Sequence, residues 1–146
     1  ITKENNQWIA KPAFIGEAIL TVSSVSNKTT TEIQKYTLKV KNLPNPAITV
    51  AGSKGGRFSS ETFKQAKQLQ VEDGWEITGY VIYLTGTGFP KPMYKQVMGS
   101  GYFDKDVLEL ISKCGPGTTI TIDELKAKLK NSDIKARVPG IFFNLY

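Results

Sequence analysis

The sequence predicts a mainly β protein of the sandwich or barrel type, with two or three short helices. Three observations lead to this fold class. Apolar and polar residues alternate with period two, β-branched residues form short runs, and turn signals separate these runs. The chain of 146 residues is 40% hydrophobic and 22% charged, which is typical of a globular protein and excludes a disordered tail.

Six segments are predicted to be strands. In chain order they are 17–25, 36–40, 75–85, 118–122, 134–138 and 140–145. In the second of them Tyr36, Leu38 and Val40 alternate with polar residues, which predicts a half-buried strand with one wet face. Residues 75–85 carry apolar side chains on both faces, which predicts a central strand that is covered twice.

Two segments predict helices. Ser59 or Ser60 can cap the first helix, which is expected to run through Gln70 with Phe63, Ala66 and Leu69 at three-residue spacing. Asp104 can cap the second helix.

Val107, Ile111 and Cys114 are spaced so that they lie on one apolar face of the second helix. Cys114 is therefore interpreted as a buried small hydrophobic residue and not as a nucleophile. Thr121 and Glu124 have capping-box spacing, so residues 123–130 predict either a third helical turn or an irregular loop.

The segment 43–46, Leu-Pro-Asn-Pro, is the one candidate domain boundary. Two prolines at alternate positions remove backbone donors and interrupt a sheet ladder. Residues 1–43 are therefore interpreted as the terminal strands of one β unit, and residues 44–146 as a more complete domain.

The composition disfavours most enzyme chemistry. The chain has no histidine, which excludes serine–histidine and cysteine–histidine catalysis, and one cysteine, which excludes an internal disulfide or a CxxC motif. No cofactor and no metal are expected. An alternative is a carboxylate-dependent hydrolase that uses Asp104 and Asp106 or Asp123 and Glu124. Roles as helix caps or first-turn residues are the favoured explanation of these carboxylates.

The net charge of +6 invites a nucleic-acid interpretation, but the residue types weaken it. Only two of the 19 basic residues, Arg57 and Arg137, are arginines, and the lysines are scattered. We therefore expect no nucleic-acid partner. No apolar run reaches the roughly 20 residues of a membrane-spanning helix, so no membrane insertion is expected from this segment.

Exposed aromatic side chains would make a carbohydrate-binding module the main alternative function. The candidates for sugar-stacking planes are Trp8, Trp75, Tyr80, Tyr94, Tyr102, Phe142 and Phe143. Aromatic residues at strand positions are more often part of a core or of cross-strand pairs. The glycine-rich segment 52–56 lacks the Gly-Lys-Ser/Thr of a phosphate-binding loop and is interpreted as a turn.

An ordered set of short motifs runs through most of the chain. They are Ile-Ala-Lys-Pro at 9–12, Gly-Glu-Ala at 16–18, Val-Lys-Asn-Leu-Pro-Asn-Pro at 40–46, the glycine pair at 55–56, Gly-Ser-Gly-Tyr-Phe at 99–103, Gly-Thr-Thr-Ile-Thr-Ile at 117–122 and Arg-Val-Pro-Gly-Ile-Phe-Phe at 137–143. This order resembles the end of the third periplasmic domain and the C-terminal domain of the GldM/PorM family of gliding-motility and type IX secretion proteins. The residues that carry the resemblance are Lys41, Leu43, Pro44, Pro46, Gly55, Gly56, Gly101, Gly117 and Pro139.

The resemblance implies an immunoglobulin-like sandwich for the first unit and a helix-decorated sandwich for the second. It also implies a periplasmic or otherwise extracytoplasmic, dimeric, non-catalytic module whose partners are outer-membrane-associated secretion components. Three departures are Asn45 in place of an aspartate, Leu38-Lys39 in place of phenylalanine–arginine, and residues 131–133 in place of an aspartate–glycine turn. No stalk or transmembrane helix is present in this sequence, so membrane anchoring does not carry over.

Overall fold

A computed structural model of the chain describes all residues, 1–146. Its fold is mainly β with two short helices, which confirms the mainly β part of the predicted class. The chain divides into two compact units, Ile1–Pro44 and Asn45–Tyr146. The strands of the first unit are β1 (Thr2–Glu4), β2 (Gln7–Ile9), β3 (Gly16–Ser26) and β4 (Thr29–Val40). The second unit contains β5 (Ile48–Val50), β6 (Gly56–Phe58), α1 (Ser60–Gln65), β7 (Leu69–Val71), β8 (Trp75–Gly86), β9 (Phe89–Met98), α2 (Lys105–Ser112), β10 (Thr118–Leu129), β11 (Lys135–Val138) and β12 (Ile141–Leu145).

The first unit consists of two antiparallel hairpins, β1–β2 and β3–β4. The long hairpin turns at Asn27 and Lys28, which both have positive φ, as two-residue hairpin loops that follow the strand twist require. The register pairs Ala18 with Leu38 and Leu20 with Tyr36. Their apolar side chains therefore share one face of the hairpin, but no residue of 1–44 is buried. The strand predicted at 36–40 is therefore present as part of β4, but neither of its faces is buried, because the unit has no second layer.

The second unit is built on a mixed sheet with the order β6-β12-β10-β8-β9, to which β11 adds on β10. The short pair β5–β7 and both helices contribute side chains to a single apolar core. Ile82, Leu84, Ile120, Ile122 and Phe143 from the sheet are fully buried there. The predicted strands at 75–85, 118–122 and 140–145 are confirmed.

A β-bulge changes which side chains of β8 and β10 face the core. The register shifts after Asp123, where Glu124 has a φ of 49°. In β10 the buried positions change from Ile120 and Ile122 to Leu125 and Ala127. A second shift lies between Lys126 and Ala127, where β8 carries the extra residue Thr78 between Gly79 and Ile77. Since an extra residue in one strand reverses its alternation, this second shift explains why the buried side chains of β8 change from Trp75 and Ile77 to Tyr80, Ile82 and Leu84.

The interior position of β8 in the sheet is confirmed, but the prediction that it is covered on both sides holds only in part. Trp75 and Ile77 share the core-facing side with Tyr80, Ile82 and Leu84. On the other side Val81 is buried, whereas Tyr83 is 39% exposed.

The helix predictions are correct at their starts and wrong at one end. The Ser59 hydroxyl accepts a hydrogen bond from the Thr62 backbone N–H, and α1 ends at Gln65 instead of Gln70. Leu69 lies in β7, where its N–H donates to the Gly101 carbonyl at 2.8 Å. Tertiary strand pairing thus overrides the helical spacing.

The cap of α2 is confirmed, because the Asp104 carboxylate accepts from the Val107 N–H at 2.8 Å. Both alternatives for 123–130, a third helical turn and an irregular loop, are wrong. These residues continue β10 as far as Leu129, because β8 and β11 pair with its two edges there.

Candidate functional site

The residues that carry the family resemblance are spread over the chain and do not form one site. Lys41, Leu43 and Pro44 lie in the extended segment after β4, and all three are exposed. Pro46 is buried at the start of the second unit. Pro139 lies between β11 and β12, opposite the bulge of β10.

The glycines of this set lie at turns and at close contacts. A Cβ on Gly55 would lie 2.8 Å from the Phe142 carbonyl oxygen, and one on Gly117 would lie 2.7 Å from the Thr87 hydroxyl. Both glycines also have positive φ. Gly101 packs against the Ile77 side chain, and Gly56 begins β6. These positions thus have structural roles, because a residue with a side chain would collide with its neighbours or strain the backbone there.

The first acidic pair proposed for hydrolysis is engaged in structural contacts. Asp104 caps α2, as described above. The Asp106 carboxylate accepts a hydrogen bond from the Lys95 ammonium at 2.5 Å, and this contact lowers the pKa of Asp106 and raises that of Lys95. A carboxyl group with a lowered pKa is ionised at neutral pH and is a poor proton donor.

The second acidic pair lies at the bulge of β10. The Asp123 carboxylate accepts from the Glu124 backbone N–H at 2.7 Å, and both residues are exposed. This contact holds one carboxylate on the backbone of its neighbour. The two carboxylates are adjacent in the chain and do not face each other from opposite walls of a cleft, which is the arrangement that a glycosidase uses.

Two further titratable groups are buried in the core. Burial raises the pKa of the Cys114 thiol to about 11, and its side chain is 2% exposed, which agrees with its interpretation as a small hydrophobe. Burial, and secondarily the charge of Asp104, raises the pKa of the Tyr80 hydroxyl. That hydroxyl donates to the Tyr102 carbonyl at 3.1 Å. Neither group is available as a nucleophile at neutral pH.

The aromatic residues separate into core and surface groups. Trp75, Tyr80 and Phe143 are buried, which confirms the core interpretation for these three and excludes them as sugar-stacking planes. The exposed candidates are Trp8, Tyr94, Tyr102 and Phe142. The Lys3 ammonium lies 5.6 Å from the centre of the Trp8 ring and shields one side of it.

The solvent face of the six-stranded sheet contains an aromatic row across four strands. Tyr94 on β9 pairs with Tyr83 on β8, Tyr83 pairs with Thr121 on β10, and Thr121 pairs with Phe142 on β12. The rings of Tyr83 and Tyr94 are stacked with centroids 5.9 Å apart. Tyr94 is 69% exposed and Phe142 is 48% exposed, so both rings are accessible.

A basic array lies on the same face beyond the bulge. Lys126 pairs with Arg137, and Lys128 pairs with Lys135, so four cations form two directly opposed like-charged pairs on β10 and β11. They line a surface groove of about 670 Å³ together with Thr78 and Met98. The aromatic row and the basic array together form the candidate site.

Sequence reasoning missed the basic array because its members lie in two segments that only strand pairing brings together. The usable signal is the period-two pattern Lys-Ala-Lys at 126–128 and Lys-Ala-Arg at 135–137. Two such stretches a short turn apart predict a hairpin with all four cations on one face. The interpretation of 123–130 as a helical turn or loop concealed it.

No protein-family model and no curated protein matches this chain. Neither helix has the length and apolar character of a membrane span.

Proposed function

We propose that this chain is a non-catalytic protein-interaction module of the cell envelope, similar to the C-terminal part of the GldM/PorM component of the type IX secretion and gliding machinery. In this proposal the β3–β4 hairpin is part of an immunoglobulin-like sandwich, and the second unit is a self-sufficient β domain. The module is periplasmic, and strands of an envelope protein cover the hairpin.

The observation that carries the proposal is the uncovered apolar face of the β3–β4 hairpin. This face, called the hairpin face below, consists of Ala18, Leu20, Val22, Tyr36, Leu38 and Val40. Tyr36 is 49% exposed and Leu38 is 45% exposed. The opposite face carries charged cross-strand neighbours such as Glu17 and Lys39.

A hairpin of this kind needs a partner layer. An isolated two-stranded ribbon is at best marginally stable in water, and sheets gain stability when they pack on a second layer. Full burial of a large apolar side chain contributes about 1.5–3 kcal/mol. Covering the half-exposed side chains of the hairpin face would therefore contribute several kcal/mol to the association.

Site-specific photocrosslinking in the native cell envelope tests the proposal. A photoreactive phenylalanine analogue replaces Tyr36 or Leu38 on the hairpin face, or the matched residue Lys35 or Lys39 on the opposite face. We expect adducts with an envelope protein, identified by mass spectrometry, from the first pair of positions and much weaker adducts from the second pair.

The positions on the opposite face serve as the control. Neighbouring residues of β4 lie on different faces of the hairpin, but all four are exposed to solvent. Equal adducts from both faces, the absence of adducts from the hairpin face, or adducts with cytoplasmic proteins only would contradict the proposal.

A further inference from the structure

The four cations of the basic array form no ion pair, although acidic side chains lie near them. The ion pairs of the chain are Lys64–Glu61, Lys95–Asp106 and Lys113–Glu109, and none involves the array. Glu76 on β8 is opposite Lys128, and Asp133 borders the groove, but neither forms an ion pair with it. Asp123 and Glu124 line a second groove together with Lys126 and Arg137, also without an ion pair. Like charges directly opposite each other destabilise a sheet, so the two opposed cation pairs favour an anion that binds beside them.

Protection of a sheet edge explains only part of the array. Lysines on an edge strand discourage pairing with other chains, and β11 is such a strand. Its outer side is also blocked by Asn45, whose amide donates to the Arg137 carbonyl at 3.2 Å. Lys126 and Lys128, however, lie on β10, which is paired on both sides by β8 and β11. Their charge has no role in edge protection.

The aromatic row extends the same surface with a different chemistry. Phe142 and Arg137 lie five residues apart on the nearly continuous β11–β12 edge of β10, which at roughly 3.3 Å per residue is about 16 Å. Thr121 separates Phe142 from Tyr83 and carries a hydroxyl group between two exposed rings. Asp123, at the bulge between the row and the array, offers carboxylate oxygens as hydrogen-bond acceptors.

We infer that this face binds an acidic polysaccharide, whose sugar rings stack on the aromatic row and whose carboxylate or sulfate groups bind the basic array. Sugars offer apolar ring faces together with hydroxyl donors, which the rings of the row and the Asp123 carboxylate match. The anionic groups of the polymer neutralise the four opposed cations. The inference is independent of the proposed protein-binding role, because it concerns only residues 45–146.

Two other polyanions fit the face less well. A nucleic acid carries a phosphate at every nucleotide, so a strand stacked on the aromatic row would bring phosphates to Asp123 and Glu124. An acidic peptide would complement the basic array but would leave the aromatic row without a partner. The aromatic row and the basic array lie apart on the face, which favours a polymer that carries fewer charged groups than rings along its length.

Binding of fluorescently labelled oligosaccharides of equal length to the full chain tests the inference. The probes are an oligouronate, a sulfated oligosaccharide and a neutral oligoglucan, measured by anisotropy at low and at physiological salt. We expect at least one acidic probe to bind on the order of tenfold more tightly than the neutral one, with an affinity that falls as salt rises.

Two sets of variants locate the site. The variant Lys126→Gln/Lys128→Gln/Lys135→Gln/Arg137→Gln is expected to lose on the order of tenfold in affinity and most of the salt dependence. The variant Tyr83→Ala/Tyr94→Ala is expected to lose affinity for all probes while it keeps the salt dependence.

The control variant Lys54→Gln/Lys67→Gln/Lys91→Gln/Lys105→Gln removes the same charge at exposed positions outside the array. It is expected to bind within about twofold of the unmodified chain, and thermal unfolding verifies that all variants fold. If the control variant lost as much affinity for the acidic probes as the array variant, net charge alone would explain the binding, and the inference would be overturned. Absence of binding to both acidic probes would also overturn it. Tighter binding of single-stranded DNA would indicate a nucleic-acid ligand instead, and tighter binding of polyglutamate would indicate an acidic protein segment.

Discussion

The β3–β4 hairpin and the β8–β10 pair are both long antiparallel ladders with an apolar face, yet their side chains end in different environments. No residue of the hairpin is buried, whereas Ile82, Leu84, Ile120 and Ile122 of the second ladder are completely buried. The difference lies in the second layer: two helices and the β5–β7 pair cover the core-facing side of the larger sheet. An amphipathic strand pattern specifies a face, and only the neighbouring elements decide whether that face is buried.

The largest difference between the two regions should appear when one large apolar side chain in each is truncated to alanine and the free energy of unfolding is measured. Phe143 is fully buried, with its ring centroid 5.2 Å from that of Phe63 and 5.6 Å from that of Phe58. Phe143→Ala is expected to cost about 3–5 kcal/mol in the free energy of unfolding, whereas Leu38→Ala on the hairpin face should change it by about 0.5 kcal/mol or less. Urea denaturation followed by near-ultraviolet circular dichroism measures both, and similar losses in the two variants would refute the contrast.

The turn between β8 and β9 offers a second test of how tightly the larger unit is packed. Gly86 has a φ of 88°, and a Cβ there would lie 2.4 Å from the Gly117 carbonyl oxygen, whereas Gly115 has open space around it. Gly86→Ala is expected to cost about 1–3 kcal/mol through strain and steric conflict, and Gly115→Ala should be close to neutral. Thermal unfolding compares them, and a neutral Gly86→Ala would show that this turn relaxes freely.

The cap of α2 should have a smaller effect. Asp104→Ala removes the acceptor for the Val107 N–H and is expected to cost about 1 kcal/mol, within a range of about 0.5–2 kcal/mol. Asp104→Asn keeps a side-chain oxygen for the same hydrogen bond and should restore most of the stability. If Asn does not restore it, the loss has another cause, such as the charge of Asp104 near Tyr80.

An effect that is absent at neutral pH should come from Cys114 under alkaline conditions. Its pKa is about 11 in the folded chain, above the ordinary value of 9.0, so the unfolded chain loses this proton first as the pH rises. Its contribution to stability is complete below pH 9 and declines as the pH approaches 11. The stability of the unmodified chain should therefore fall more steeply in this interval than that of Cys114→Val, and parallel slopes would exclude the linkage.

Much of the fold could be predicted from local patterns. The strands at 17–25 and 118–122 and the cap at Asp104 were predicted from residues close in sequence, and the structure confirms them. The end of α1 could not be predicted, because Leu69 is drawn into a strand by its contact with Gly101, which lies far along the chain. The two register shifts between β8 and β10 could not be predicted either. The shift at Glu124 changed the interpretation of 123–130, and the shift at Thr78 changed the buried face of β8.

The candidate site was less predictable than the fold. The exposed aromatic residues were recognised individually, but their alignment depends on the register of four strands. The basic array requires β10 and β11 to pair, and the interpretation of 123–130 as a helical turn or loop left no strand there to pair with 135–137. Trp75 was assigned to the surface and to the core as alternatives, and its position on the core-facing side of β8 decides between them.

Hydrogen exchange measured residue by residue on the purified chain tests the central claim most directly. The claim is that the second unit is complete in itself, whereas the hairpin depends on a partner layer. We expect amides of β8 and β10 to exchange only through global unfolding, and amides of β3 and β4 to exchange many orders of magnitude faster. Protection of the β3–β4 amides equal to that of β8 and β10 in the purified chain would contradict the claim.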